Sequence, residues 1–168
     1  RRTDYEDQLE KLLALLPKAY VCHTSAFCWK AFFVPHPRIM GSVGMKLSTI
    51  SKYMIKEAKR HQLALIPKDP ITRQFNLKRA ILEARFPQTD GKTFAALNVH
   101  LEAFAQGTKT MEQQVGQIVA LLKQLSQDGI SWTIGGDFNL LPPGGAYDRL
   151  VESEKKYYNA ETEIEVIF

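Results

Sequence analysis

The feature that most constrains the fold is a strand–helix–strand pattern over residues 92–139. Residues 94–101 alternate between apolar and polar side chains, which predicts a strand with one buried face. Residues 108–127 carry apolar side chains at helical spacing, and residues 131–135 predict a short buried strand. Two strands joined through a helix normally run parallel, with a right-handed crossover. The pattern therefore predicts an α/β unit whose two strands end at one edge of the same sheet.

The apolar residues of this unit predict its core. The strand residues expected to face the core are Ala95, Leu97, Val99 and Leu101. The helix residues expected to face it are Met111, Val115, Ile118, Val119, Leu122 and Leu125. Thr110 and Gln113 form a capping-box pattern at the start of the helix, and Gly129 predicts its end.

The rest of the chain predicts one helix and several short strands. Thr3 and Glu6 form a capping-box pattern, and Pro17 is expected to end the helix that follows. Its expected buried face consists of Leu9, Leu12, Leu13 and Leu16. Strands are expected at residues 20–23, 27–34, 45–50, 53–58 and 80–86, with a turn bracketed by Gly41 and Gly44. Together these elements predict a mixed α/β (α+β) fold.

Composition limits the class of protein. A chain of 168 residues fits one domain, and 45% hydrophobic with 24% charged residues excludes disordered, collagen-like and coiled-coil proteins. No apolar run approaches the roughly 18 residues of a membrane-spanning helix. Two cysteines, Cys22 and Cys28, are too few for a disulfide scaffold. We therefore expect free thiols and a reducing, cytoplasmic location.

Positive charge is concentrated between Lys46 and Arg79. The net charge is +4, and this stretch holds nine basic residues against Glu57 and Asp69. A basic stretch beside a binding site would attract a phosphate-bearing substrate. The alternative interpretation is a solvated face of strands or a loop.

Residues 135–139, which read Gly-Gly-Asp-Phe-Asn, predict a functional loop at the end of the second strand. In an extended stretch Asp137 and Asn139 share one side, and Phe138 points the other way. The carboxylate is able to orient or deprotonate a water molecule, or to bind a hard cation. The amide is able to donate to a phosphate oxygen. The alternative is an Asx-type turn, in which both side chains cap their own backbone.

His100 and Asn98 share the non-core side of the first strand of the unit. A histidine there can act as a general acid or base, or donate to a phosphoryl group that gains charge. Alternatively, His100 is an edge residue bonded to a neighbouring loop. Glu102 either orients His100 or is a carboxylate at a helix entry or on the surface. The sequence contains no zinc-type spacing, P-loop, serine elbow or dinucleotide fingerprint, which leaves phosphoester chemistry at Asp137 and His100.

These motifs resemble those of the endonuclease/exonuclease/phosphatase superfamily, which has the DNase-I-like fold. Residues 136–139 resemble its Gly-Asp-Phe-Asn signature. Residues 98–101 are similar to its Asn-Thr-His-Leu motif, with valine for threonine. Residues 47–53 are similar to a further strand motif of the family, although Met54 stands where a proline is usual. The similarity is greatest to a bacterial branch of the superfamily.

The resemblance implies a layered β-sandwich flanked by helices, and a hydrolase that cleaves phosphoesters with Mg²⁺ or Mn²⁺. It implies that Asp137 activates the attacking water, Asn139 contacts the scissile phosphate, and His100 stabilises charge on the phosphoryl oxygens. Asn98 is expected to form a hydrogen bond near the site. The expected partner is a phosphate-bearing substrate, either nucleic acid or a phospholipid headgroup, while the oligomeric state stays open. Two alternatives are a non-catalytic phosphate- or nucleic-acid-binding module with the same fold, and an inert structural fragment.

The chain departs from the family pattern at both ends. The family's metal-binding glutamate near its start and its Ser-Asp-His motif near its end are absent from residues 1–168. Residues 1–4 resemble those that usually follow that glutamate, so we expect the chain to be the middle of a single domain, with unknown metal ligands.

The 168 residues alone should show no metal-dependent hydrolysis, because part of the catalytic set lies outside them. The measurement is release of 4-nitrophenol from a bis-aryl phosphate with Mg²⁺ present. Strong Mg²⁺-dependent turnover would contradict the prediction.

Overall fold

The computed structural model describes residues 6–37, 39–103, 108–160 and 162–167, with only the backbone for residues 73–75. The elements are α1 (Gln8–Leu15), β1 (Cys22–Val34), β2 (Gly41–Ser51), β3 (Glu57–Gln62), α2 (Pro70–Phe75), β4 (Ala80–Pro87), β5 (Thr93–His100), α3 (Thr110–Gln127), β6 (Ser131–Asp137) and α4 (Glu152–Lys155). Two 3₁₀ turns, Tyr147–Arg149 and Glu163–Ile167, lie in the part that follows β6.

The main sheet has four strands in the order β3-β4-β5-β6. The pairs β3–β4 and β4–β5 are antiparallel, and β5–β6 is parallel. The helix α3 connects β5 to β6, which confirms the predicted strand–helix–strand unit. Strands β1 and β2 pair as an antiparallel hairpin that forms a second, two-stranded sheet.

The main sheet is covered on both faces, which confirms the mixed, layered architecture. On one face, the predicted core residues of β5 pack with those of α3 in one apolar cluster, which also includes Ile81 of β4. Val119 is only partly buried beside that cluster. On the other face, Leu82 packs with three residues of the hairpin, Ala26, Cys28 and Leu47. Successive residues of β4 thus contact opposite layers, as the alternation along a strand requires.

Several predicted strand boundaries are wrong. The segments 20–23 and 27–34 form the single strand β1, and the strand expected at residues 53–58 begins at Glu57 instead. Gly41 and Gly44 bracket no turn, because both lie within β2. Gly44 pairs with Lys30, and a Cβ on Gly44 would lie 2.8 Å from the Phe27 ring. The glycine marks a close contact between strands. The short helix α2 was not predicted.

The helix starts also differ from prediction. Thr3 lies outside the described residues, and α1 is capped by Asp7, whose carboxylate accepts from the Leu9 backbone N–H. The predicted apolar face of α1 is not buried: Leu12 is 48% exposed, and α1 contains no buried residue. Thr110 is the first residue of α3 and not its N-cap, and its N–H donates to Thr108 Oγ1. The predicted capping box of Thr110 with Gln113 is therefore not formed. Gly129 does follow the end of α3, with φ of 70°.

Both cysteines are free, as predicted, and Cys28 is buried. Within the described ranges, no helix has the length and apolar character needed to cross a membrane.

Gly136 permits the close pairing of β5 and β6 at their carboxyl ends. It pairs with Val99 and has a φ of 138°, a conformation that side chains disfavour. A Cβ on Gly136 would lie 2.0 Å from the Val99 carbonyl oxygen, which no small shift relieves. Gly135 has nothing within 4 Å of its corresponding position. Only the second of the two glycines is therefore required by packing.

We predict that Gly136→Ala lowers the free energy of unfolding of the full-length protein by roughly 2–4 kcal/mol, through backbone strain and overpacking. Gly135→Ala is the matched control and should change this free energy by less than about 1 kcal/mol. Urea denaturation measures both. Equal effects of the two substitutions on the free energy of unfolding would show that the close contact of Gly136 with Val99 does not cause the destabilisation.

Candidate active site at the edge of β5 and β6

The parallel register of β5 and β6 places His100 directly opposite Asp137. The ladder continues past the strand end, where the Leu101 N–H donates to the Asp137 carbonyl at 2.9 Å. His100 Nε2 and Asp137 Oδ2 are 3.6 Å apart, which is beyond hydrogen-bond distance. The Asp137 side chain is 61% exposed and that of His100 is 24% exposed. The structure therefore brings the two predicted site residues together at an accessible edge.

The loop after β6 fixes the orientation of the Asp137 carboxylate. Asp137 Oδ1 accepts from the Asn139 backbone N–H at 3.0 Å, and Asn139 Nδ2 donates to the Leu101 carbonyl at 2.9 Å. Asn139 has a φ of 51°, which asparagine tolerates better than most residues. This is the Asx-type turn considered as the alternative to a site. In this turn only Oδ1 of Asp137 accepts the Asn139 N–H, and Oδ2 is the oxygen that lies 3.6 Å from His100 Nε2.

The surroundings of His100 favour its neutral form. Burial is the largest cause that lowers the pKa of His100, and the nearby Arg79 guanidinium lowers it further. The carboxylates of Asp137 and Glu102 oppose this effect without reversing it. His100 is therefore neutral at neutral pH, with one ring nitrogen as donor and the other as acceptor.

A buried ion pair lies next to His100. Arg79 is 2% exposed and Glu102 is 7% exposed, with 3.5 Å between Arg79 Nη2 and Glu102 Oε1. Arg79 Nε and Nη1 are buried and have no hydrogen-bond partner in the described part of the chain. Because removing one partner of such a pair would leave an uncompensated buried charge, the two residues depend on each other. The expectation of Glu102 as a surface or helix-entry carboxylate is wrong.

Gln114 connects this pair to the rest of the fold. Its Oε1 accepts from the Glu102 N–H at 3.0 Å, and its Nε2 donates to the Ala64 carbonyl at 2.6 Å. Gln114 is fully buried within the apolar stripe of α3, between Met111 and Ile118. Sequence reasoning missed both Gln114 and Arg79. The available signal was a polar residue at a buried stripe position, since such a residue needs hydrogen-bond partners.

Asn98 has a structural contact. Its Nδ2 donates to the Ser48 carbonyl at 3.1 Å and so ties β5 to β2 of the hairpin. Ser48 belongs to the stretch 47–53 that resembles a family strand motif, and Ser51 Oγ in the same stretch accepts from the Tyr53 N–H. The predicted role of Asn98 in substrate binding stays a prediction.

The basic stretch is not one uniform cationic surface. Lys46 pairs with Asp7 at 3.1 Å, and Arg60 donates to the carbonyls of Phe27 and Lys78. Arg79, at the end of the stretch, is buried. These cations serve internal contacts, so the charge of the stretch does not by itself indicate a polyanion partner.

Two adjoining clefts open at the site. The first is lined by Asp137, Asn139, Pro142, Tyr158 and Ile164, among others. The second is lined by residues that include Glu102, Asn139, Lys156, Tyr158, Asn159 and Glu163. Asn139 and Tyr158 line both clefts, which makes the two clefts contiguous.

The described residues do not form a complete metal site. They contain no group of three or more histidine, cysteine, aspartate or glutamate residues placed to hold a metal ion. Mg²⁺ is usually held by one or two carboxylates together with water and substrate phosphates. Asp137 is one exposed carboxylate, so ligands for the Mg²⁺ or Mn²⁺ implied by the family are not assembled by these residues.

Comparison with solved structures identifies the fold. The chain is similar to the human Nocturnin catalytic domain with bound sulfate, with a TM-score of 0.53, 17% identity, and coverage of 89% of this chain and 53% of that one. It is also similar to TDP2 from Caenorhabditis elegans, with a TM-score of 0.48, 15% identity, and coverage of 79% of this chain and 33% of that one. A third similar structure is an endonuclease/exonuclease/phosphatase protein from Beutenbergia cavernae. Its TM-score is 0.47 and its identity 16%, and the match covers 79% of this chain and 33% of that one.

The chain has a mixed, DNase-I-like fold, as the sequence motifs predicted. It spans about half of the Nocturnin domain that it matches. No protein-family model and no curated protein sequence matches the chain.

We predict that the pKa of His100 lies below the value of about 6.5 that is usual for histidine. Asp137→Asn should lower it further, because the Asp137 carboxylate favours the charged imidazolium. Because its pKa is lowered by folding, His100 binds fewer protons in the folded state than in the unfolded state near pH 6. His100 therefore lowers the free energy of unfolding as the pH falls through that region.

Proton NMR titration of the His100 ring measures this shift. Asp128→Asn is the charge-matched control, because Asp128 lies at the end of α3 just before β6 starts, at the opposite edge of the sheet. A His100 pKa that is the same in wild type and Asp137→Asn would contradict the electrostatic account of the site.

Proposed function

We propose that the chain carries the catalytic edge of a hydrolase that cleaves phosphoesters, of the phosphodiesterase or nuclease type. The observation that supports this most is the opposition of His100 and Asp137 at the carboxyl ends of two parallel strands. Open α/β sheets usually bind their ligands at that edge. The Asx turn further orients the carboxylate before any substrate binds, which is the form of preorganisation that catalysis requires.

In this proposal Asp137 is the general base. Its Oδ1 is held by the Asn139 N–H, and its Oδ2 accepts a proton from a water molecule that attacks the phosphorus. Exposure of this side chain gives water direct access to it. A general base in such a position contributes roughly 10²–10⁴-fold to a reaction rate.

His100 and Asn139 stabilise the phosphoryl oxygens in the same proposal. The neutral His100 ring has one N–H to donate to an oxygen that gains negative charge. The Asn139 amide has two N–H groups, of which one bonds the Leu101 carbonyl and the other can donate to the phosphate. Fixed donors aimed at developing charge lower the barrier to phosphoryl transfer.

The chain spans about half of the Nocturnin domain it matches, so the activity is proposed for the full-length protein, with residues 1–168 as part of one domain. Its Mg²⁺ or Mn²⁺ would be held mainly by groups other than the described residues. The substrate is a phosphate-bearing compound, either nucleic acid or a phospholipid headgroup. The free thiols of Cys22 and Cys28 support a cytoplasmic location.

A second candidate is a phosphate- or nucleic-acid-binding module without catalysis. The hydrogen bonds of Asp137 and Asn139 to the backbone favour it, because they give both side chains a structural role. This candidate predicts binding that weakens steeply with salt and no hydrolysis.

We predict that Asp137→Asn in the full-length protein lowers kcat for a phosphodiester by about 100-fold or more, because the amide does not accept the proton of water. Asp90→Asn is the matched control, since Asp90 lies in the β4–β5 turn at the opposite edge of the sheet. Release of 4-nitrophenol from bis(4-nitrophenyl) phosphate measures both.

Wild-type rates in Asp137→Asn would refute the catalytic assignment. If neither protein hydrolyses the substrate and both bind nucleic acid with the same steep salt dependence, the non-catalytic candidate is the correct one.

A further inference from the structure

The end of the β1–β2 hairpin exposes large apolar side chains that the proposed chemistry does not use. The hairpin end consists of residues 29–34 of β1 together with residues 39–45, which lead into and begin β2. Phe32 is 84% exposed, Met40 is 61% exposed and Phe33 is 55% exposed. Exposed apolar side chains that lie close together mark a surface that contacts a partner, whereas scattered ones need no explanation.

The hairpin end projects beyond the packed part of the molecule. Cys28 is the last buried residue of β1, and its carbonyl accepts from the Lys78 N–H just before β4 begins. β1 continues from there to Val34, which pairs with Gly41, so the exposed phenylalanines and methionine share one end. Every residue of this end is exposed or only partly buried. The end therefore contributes little to the core and is free to contact a partner.

Lys30 holds a positive charge at the level of the exposed rings. Its Nζ lies 5.2 Å from the centroid of the Phe27 ring and 5.2 Å from that of the Phe32 ring. Such contacts keep an ammonium group beside apolar rings while its head stays in water. The hairpin end thus combines apolar area with a cation in one small surface.

The chain around the hairpin contains basic residues and no acidic ones. Residues 11–56, which include the whole hairpin, hold seven lysines and arginines and no aspartate or glutamate. Asp7 compensates Lys46 from outside this range, at 3.1 Å, and Lys46 is therefore not counted as a binding cation. An anionic partner is attracted to a region with this balance of charge, and a cationic partner is repelled.

Met40 adopts a backbone conformation that its side chain disfavours. Its φ is 41°, in the left-handed region, and its N–H donates to the His36 carbonyl at 3.0 Å. Folding alone would favour glycine or asparagine at such a position, because the exposed methionine side chain adds nothing to the core. Residues in strained conformations cluster at functional sites, which indicates a use for this side chain.

We propose that the hairpin end docks onto the surface of a bilayer that contains anionic phospholipids. Phe32, Phe33 and Met40 would lie at the boundary between headgroups and acyl chains, and Lys30 among the headgroups. Interfacial binding combines buried apolar area with attraction of cations to anionic lipids. A single-stranded nucleic acid fits less well, because it needs open ring faces and several cations along its backbone. The inference concerns binding alone and does not depend on the proposed function.

Sedimentation of the full-length protein with vesicles tests the proposal. The vesicles contain phosphatidylcholine alone or phosphatidylcholine with about 30% phosphatidylserine, and we expect at least about tenfold tighter binding to the anionic vesicles. Phe32→Ser should lower the affinity for anionic vesicles by about tenfold or more, because the apolar area of the ring is lost. Lys30→Gln should lower it by about fivefold, which is the share of one lysine near such a surface.

Val166→Ser and Lys123→Gln are the matched controls. Val166 is 68% exposed, Lys123 is exposed, and both belong to elements on the face of the main sheet opposite the hairpin. Each control should keep the affinity within about twofold of wild type. Equal losses in the controls and the hairpin variants, or no preference for anionic vesicles, would overturn the inference.

Met40→Asn separates docking from a role in folding. Asparagine tolerates the left-handed conformation, so the free energy of unfolding should stay equal or rise, while the affinity for anionic vesicles should fall by about threefold or more. Urea denaturation and vesicle sedimentation measure the two quantities. A lower free energy of unfolding with unchanged vesicle affinity would show that Met40 serves the fold and would contradict its place in the docking surface.

A fluorescent variant tests insertion directly. Phe32→Trp should shift its emission to shorter wavelength on addition of anionic vesicles, and lipids with brominated acyl chains should quench it. Absence of both effects would overturn the inference. Binding of a single-stranded oligonucleotide that Phe32→Ser weakens and salt abolishes, without any binding to vesicles, would also overturn it and assign the hairpin end to nucleic acid.

Discussion

The parallel pairing of β5 with β6 is the constraint on which the site depends. It sets His100 opposite Asp137 and continues through the Leu101 N–H to the Asp137 carbonyl. The pairing is close at this end because Gly136 has no side chain to contact the Val99 carbonyl. The loop then turns back, so that Asn139 bonds both the Asp137 carboxylate and the Leu101 carbonyl. The Asx turn that holds this loop therefore also orients the exposed Asp137 carboxylate.

The buried groups around His100 determine what this edge can do. Burial and Arg79 keep the imidazole neutral, and the charge of Arg79 is in turn compensated by Glu102. Gln114 holds Glu102 in place from α3, the helix that connects the two site strands. Besides covering the sheet, α3 therefore supplies Gln114, whose hydrogen bond to the Glu102 backbone supports the ion pair next to the site.

The sequence predicted the strand–helix–strand unit because its apolar residues repeat with clear strand and helix periods. The same periods predicted the burial of Val99 and Ile118, and the motifs predicted that His100 and Asp137 lie together. The hairpin was predicted less well, since Gly44 reads as a turn residue and its actual role, contact with the Phe27 ring, depends on the partner strand. The buried state of Arg79 could not be read from a stretch rich in basic residues, because burial of a charge depends on a distant carboxylate.

The central claim is that His100 and Asp137 act as one hydrolytic unit. A double-mutant cycle on kcat/KM, with Asp137→Asn, His100→Gln and the combined variant of the full-length protein, tests it most directly. The account predicts strong non-additivity, with the double variant no more than about threefold below the more damaged single variant, as is found when residues act together. Effects that multiply independently, or no effect of either single substitution, would contradict the account.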